Sequence, residues 1–270
     1  MSEFVTTAAG DRVAYDLYGS GPALVFVAGA GPYRAIDPVT TATAQAAAGS
    51  GVSAVVYDRL GRGESPAQGR LDLARELTTI AALLEVVGGS AVLCGHSSGC
   101  SISLAAAAAG LPVDGLVLFE APIGPPDGGA REWAAEVDRL IALGDLEAAQ
   151  LHYMKDMPPE FLEGIQRSPM WADLVAQVVS VVSDGESLAW AESAPLADLC
   201  ADIRVPVEVL VGAETYPIMI EAMGRLTTAM PHATSKRMPG AHHSWEPEPM
   251  AVELAAFVTA AAAARGAARR

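Results

Sequence analysis

The pentapeptide Gly95-His96-Ser97-Ser98-Gly99 sets a serine inside a glycine-flanked turn, directly after the apolar run AVLC (91–94) and directly before the small-residue run CSISLAAAA (100–108). A strand that passes into a helix within so few residues is built most easily without a side chain at its tightest point, so the serine is either idle or displayed. Display is the chemical reading. A G-x-S-x-G turn between strand and helix pushes the hydroxyl into a strained, exposed position beside a helix N-terminus, where it can attack a carbonyl carbon. Ser97 is therefore the expected nucleophile. A serine hydroxyl is weakly nucleophilic until a base takes its proton, so a histidine must come from elsewhere in the chain. Of the five histidines, His96 lies in the turn itself, His152 in a helix-rich stretch and His232 after a Met-Pro pair. His242 and His243, in MPGAHHSWEPEPM, follow the last predicted strand and precede the C-terminal helix, from where a base can return to the sheet edge. One of that pair is the expected base. No third ligand stands at usable spacing, so no metal site is expected.

The base in turn needs a carboxylate to hold its tautomer and stabilise the imidazolium. Glu120, in VLFEAP, ends the strand after the turn's helix, where a buried carboxylate is costly without a partner such as an imidazolium. Glu214, in VGAETYP, is the other candidate.

These residues need a frame that collects them at one edge. Alternation in EFVTTAAGDRVAYDLYG predicts an opening hairpin turning at Gly10-Asp11. Short apolar runs at 23–28, 52–58, 91–94, 115–120 and 207–212, with a weaker one at 234–238, read as buried parallel strands. Helical patterns at 72–87, 99–109, 217–229 and 249–264 alternate with them, which predicts an α/β fold with a doubly wound, mostly parallel sheet. Ligands of such sheets bind beyond the carboxyl ends of the strands, which is where Ser97, Glu120 and the paired histidines fall. Residues 123–203 depart from the alternation, with helix-like spacing, Pro-Pro breaks at 125–126 and 158–159, and three of the four tryptophans. They predict a helical cap inserted into a core formed by residues 1–122 and 204–270.

Composition narrows the partners. The formal net charge of −15 repels phosphate backbones and anionic lipid, so neither nucleic acid nor a membrane surface is an expected partner. The N-terminal stretch has no basic region followed by an apolar one, and no apolar run approaches the ~20 residues of a membrane span, so a cytoplasmic location is expected. Cys94, Cys100 and Cys200 are odd in number and lack CxxC spacing, which predicts buried free thiols. A homodimer is held open.

With these residues placed, the chain resembles the α/β-hydrolase fold family over essentially its whole length. LVFVAGAGP resembles the loop after the family's third strand, YDRLGRGES the loop after its fourth, and CGHSSG its nucleophile elbow. The resemblance implies Ser97 as nucleophile, with oxyanion donors from the backbone amides of Ser98 and of Gly29 or Ala30. It implies no cofactor. Where most members place the acid, three residues after a strand-ending glycine, this chain has Thr215, with Glu214 one residue early. The shorter branch with SSG at the elbow and a glutamate after the next strand is most similar, including the zearalenone-type lactone hydrolases, and it points to Glu120. The family's PGxGH spacing puts the base at His243, whereas the PGxH spacing puts it at His242; His243 is the preferred residue.

The implied activity is cofactor-independent hydrolysis of a neutral, hydrophobic carboxylic ester or lactone through an acyl-enzyme. The same residues also serve C–C hydrolysis, perhydrolysis, a lyase step or low-turnover ligand capture on this fold. Trp171, Trp190, Tyr153 and Met154 in the cap are the expected substrate-contacting side chains.

Overall fold

The structure is a computed structural model that describes residues 2–157 and 159–268, so Pro158 of the second Pro-Pro break lies outside the described residues. The chain opens with the antiparallel hairpin of β1 (Glu3–Thr6) and β2 (Arg12–Gly19). It continues through β3 (Ala23–Val27), α1 (Pro38–Ala48), β4 (Ser53–Tyr57), α2 (Leu73–Val86), β5 (Ala91–His96), α3 (Ser98–Ala108) and β6 (Val113–Phe119). The described residues between β6 and the next strand form no strand but six helices: α4 (Ala130–Ala142), α5 (Leu146–Tyr153), α6 (Pro159–Gln166), α7 (Trp171–Gln177), α8 (Val182–Ala191) and α9 (Leu196–Leu199). The chain then returns through β7 (Val207–Glu214), α10 (Pro217–Ala229), β8 (Thr234–Ala241), β9 (Ser244–Trp245) and α11 (Pro247–Ala268).

One sheet results, in the order β1-β2-β4-β3-β5-β6-β7-β8-β9, parallel from β4 to β8 and antiparallel at both ends. The central strands are buried on both faces, which is why they read as continuous apolar runs. Successive side chains still sort to opposite faces. Val25, Val27, Leu93, Leu116 and Leu118 join Ile80 and Leu83 of α2 and Ile102 of α3 in one core layer. Leu24, Phe26, Val92, Val117 and Phe119 join Ala44 of α1 and Met250 and Leu254 of α11 in the other. Helices on both faces of a mostly parallel sheet are the expected doubly wound arrangement.

Two elements differ from expectation. The α1 helix is absent from the predicted set because PVTTATAQAAA has no large apolar residues at helical spacing; small Ala44 and Ala47 suffice where it packs against α11. Its ends were written more plainly, with Asp37 accepting from the Thr40 amide at 3.0 Å, Pro38 in the first turn and Gly49 at its close. The C-terminal helix corrects the membrane argument. Residues Pro247–Ala267, with a best mean hydropathy of 1.3, are by length and composition long and apolar enough to cross a bilayer. Met250, Leu254 and Val258 of that helix are buried against the sheet. All three cysteines are free and buried.

Candidate active site

Ser97 stands at the junction of β5 and α3 with φ 56° and ψ −130°, outside the regions L-residues ordinarily occupy. Its amide donates to the Phe119 carbonyl at 3.0 Å and its carbonyl accepts from the Cys100 amide at 2.9 Å, so the strained backbone is held on both sides. The turn needs its second glycine for space. A Cβ on Gly99 would lie 2.0 Å from the Val27 carbonyl oxygen, and only its absence lets α3 start this close to β3. Among the described residues, five non-glycine positions have positive φ, and four of them are Ser97, Glu120, His242 and His243. Backbone strain thus gathers at the carboxyl ends of the strands, on the residues that the sequence singled out.

Glu120 leaves β6 with its amide donating to the Leu210 carbonyl at 2.9 Å, and its side chain is 1% exposed. Its Oε2 lies 2.6 Å from Nδ1 of His243, and its Oε1 accepts from the Gly212 amide at 3.0 Å. Burial alone raises this carboxyl, but the His243 ring, the Thr215 side chain and the Gly212 amide outweigh it and hold the group below the usual carboxylate range. Thr215 acts from outside ordinary hydrogen-bond geometry, since its buried Oγ1 has no hydrogen-bond partner. Glu120 is therefore ionised, and the proton shared with His243 sits on Nδ1. Nε2 is left as the basic nitrogen.

The two histidines form the two-residue turn between β8 and β9, closed by the Ala241–Ser244 pair, with φ of 52° and 64°. Positive φ at both turn residues matches the twist of a tight hairpin but usually selects Asn-Gly. Here it turns His243 toward Glu120 and leaves His242 exposed. Glu214, at the end of β7, is also exposed. Of the two acids and two bases weighed from sequence, the fold brings together Glu120 and His243 and leaves Glu214 and His242 outside.

From sequence His96 reads as a structural residue of the turn, with no partner named. Its Nε2–H donates to the His243 carbonyl at 2.9 Å, and its ring lies 4.9 Å from that of His243 and 5.0 Å from that of Trp245. Burial, reinforced by the neighbouring His243 ring, pushes its pKa down to about 4. It is a neutral donor that fixes the turn carrying His243. The contact joins the turn after β5 to the turn after β8, and only the fold creates it.

Ser97, His96 and His243 line one cavity of about 500 Å³. Ala30 borders it, and Gly29 lies directly beneath the serine, where a Cβ would come within 2.8 Å of the Ser97 Cβ. Ser98 opens α3, whose first-turn amides have no partners within the helix. The remaining wall is mostly apolar and comes from residues 31–40 on one side and from residues 150–181 on the other, with Tyr153, Met154, Met157 and Met170 among its side chains. Among the described residues no lysine or arginine lines it, and Asp37 is the one carboxylate. Tyr153 and Met154 therefore stand where expected. Trp171 and Trp190 do not line the cavity: the Trp171 indole donates to Glu147 at 3.2 Å on the outer side of the helices, and Trp190 packs against the core layer beneath α2 and α3. Among the described residues no group of histidine, cysteine, aspartate and glutamate could hold a metal ion.

Comparison with known proteins agrees with this fold. The sequence profile of the alpha/beta hydrolase family matches residues 24–257. An alpha/beta hydrolase from Sphaerobacter thermophilus DSM 20745 is 28% identical and superposes with a TM-score of 0.79, over 94% of this chain and 99% of that one. The thioesterase domain from the curacin biosynthetic pathway (TM-score 0.65, 16% identity, 96% and 99% coverage) shares the fold. So does a thermophilic esterase from Thermogutta terrifontis (0.60, 20%, 100% and 98%). No curated protein matches the chain.

Proposed function

The chain belongs to the alpha/beta hydrolase family, and from that premise we propose that it is a cofactor-independent serine hydrolase of neutral, hydrophobic carboxylic esters or lactones. The observation that carries the proposal is the 2.6 Å contact between His243 Nδ1 and the buried Glu120, at the wall of the cavity that Ser97 also lines. In this reading Nε2 of His243 takes the Ser97 proton as Oγ attacks the carbonyl carbon. The amides of Ser98 and Ala30 receive the developing oxyanion, worth roughly 2.7–4 kcal/mol for one such donor. The imidazolium, steadied by Glu120, gives its proton to the leaving alcohol, and a water deacylates the enzyme by the same route. Ala30 is preferred to Gly29 because it borders the cavity.

The substrate class rests on the wall. Its methionines and Tyr153 suit apolar bulk, and the absence of a lining lysine or arginine leaves a substrate carboxylate without a partner beside Asp37. Medium or large hydrophobic acyl groups, or a macrocyclic lactone of the kind the SSG-branch resemblance suggests, fit this lining. The division into a core of residues 1–122 and 204–270 and a cap of residues 123–203 belongs to the same proposal. A fluorophosphonate probe combined with an ester and lactone panel tests it. Labelling lost in Ser97→Ala, together with turnover that rises from acetate to octanoate, is expected. Labelling without turnover of any ester or lactone would move the chain to another chemistry or to ligand capture.

A further inference from the structure

Beneath the loop that follows β3 lies an ionic cluster shut off from solvent, with no direct part in the chemistry described above. Asp184, on α8, is 0% exposed and accepts from Arg59 Nη1 at 2.6 Å, Arg62 Nη2 at 2.8 Å and Ser98 Oγ at 2.7 Å. The guanidinium groups direct further donors at the backbone. Arg62 Nη1 reaches the Gly29 carbonyl at 2.6 Å, and Arg59 Nη1 reaches the Ala28 and Gly29 carbonyls at 3.1 and 3.3 Å. Ser180 and Ser183 orient them from the other side, accepting from Arg62 Nε at 2.8 Å and Arg59 Nη2 at 2.7 Å. Glu76, 3.3 Å from Arg59 Nε, supplies the second negative charge, so two cations face two anions.

The direction of those carbonyls matters because a trans peptide is planar, with its C=O and N–H pointing opposite ways. A Gly29 carbonyl held by Arg62 turns the Ala30 N–H away from the cluster, toward the cavity that Ala30 borders. Position 29 also has to be glycine, since a Cβ would strike Ser97, and a glycine leaves the peptide freer to rotate than any other residue. The close approach that brings the loop under the nucleophile thus removes the loop's own stiffness, and the arginines restore it from outside. Asp184 sets both arginines and the Ser98 side chain at once. It thereby fixes the Ala30 and Ser98 amides relative to each other.

We propose that Arg62 and Asp184 are positioning residues for the oxyanion site, acting through the Gly29 carbonyl and the Ser98 hydroxyl without touching substrate. The inference rests on the reading of Ser97 as nucleophile. Arg62→Lys, which keeps the charge and loses the fork, and Asp184→Asn should each lower kcat by about 10²–10³-fold with KM within about threefold. Affinity for an alkylboronic acid, whose adduct with Ser97 carries the tetrahedral oxygen, should fall by a similar factor, while affinity for the alcohol product stays unchanged. A cavity that has merely loosened would instead weaken the alcohol and raise KM. Either that pattern or a folded Arg62→Lys enzyme with kcat within twofold of the parent overturns the proposal, and Arg62→Lys alone decides if Asp184→Asn does not fold. Ser97→Ala measured alongside separates the two levels. Full activity in Ser97→Ala removes the underlying reading, whereas an inactive Ser97→Ala beside an unimpaired Arg62→Lys removes only the positioning role.

Discussion

At the scale of single residues, the roles divide between neighbours that look alike in sequence. With Ser97 as the proposed nucleophile, Ser97→Ala should lower turnover by roughly 10⁴-fold or more, because nucleophile and base act as a unit. Glu120→Gln should cost up to about 10⁴-fold, while Glu214→Gln stays within about twofold, since only the former orients an imidazole. The same contrast is expected between His243→Ala and His242→Ala; steady-state kinetics on one hydrophobic ester checks both pairs, and reversal of either order would move the assignment. His96 yields a different signature. Its folded pKa of about 4 lies below the value of about 6.5 for an unfolded histidine, so between these pH values the unfolded chain binds a proton that the native chain refuses. Stability should therefore decline as pH falls from about 6.5 to 4, by up to a few kcal/mol. Glu120 works in the same direction at lower pH: its depressed pKa stabilises the fold above the unfolded value, and that contribution is lost as pH falls through the folded one. Urea unfolding at pH 7 and pH 5 should show a smaller difference for His96→Asn than for the parent.

At the scale of elements, the helices between β6 and β7 meet the cavity through α5 to α7 and the core through α8. The first group should tune substrate choice. Met154→Ala and Met170→Ala should shift the preferred acyl length upward, whereas Trp171→Ala should leave kcat/KM within about twofold, because its indole faces Glu147; a chain-length series of esters reads this directly. The contrast shows what was legible in the sequence. The sheet strands, the tight turn at Ser97 and the pairing of Glu120 with a histidine could be read because burial on both faces, glycine spacing and the cost of an unpaired carboxylate each leave a local mark. Trp171 and Trp190 misled because a large aromatic fits equally well against a cavity or against a helix pair, and composition carries no direction. The α1 helix went unseen for the opposite reason: its packing surface is built of alanines that no apolar pattern distinguishes. The part played by His96 is a contact across 147 positions, beyond any local pattern.

At the scale of the whole molecule, a net charge of −15 surrounds a cavity that holds no lysine or arginine. An ester bearing a free carboxylate should therefore react with lower kcat/KM than its neutral counterpart and recover partly as salt is added, while the neutral ester stays indifferent to ionic strength. Stopped-flow or steady-state rates from low to about 0.5 M salt would check it, and equal rates for the two esters would count against it. The buried cluster of Arg59, Arg62 and Asp184 also has a consequence in time. Arg59 and Asp184 are 125 positions apart, so at about 5–20 residues per second a ribosome makes the arginines about 6–25 s before Asp184, the one carboxylate that pairs with both. Until then the two guanidinium groups are better left in water, and the loop after β4 has no reason to settle against the sheet. Trypsin cuts after arginine, so short pulses of it during refolding should cleave at Arg59 and Arg62 until α8 docks, and both sites should close in that one kinetic phase. Closure of both sites in that one phase would mean that the loop bearing the Gly29 carbonyl is secured under Ser97 only once α8 is in place.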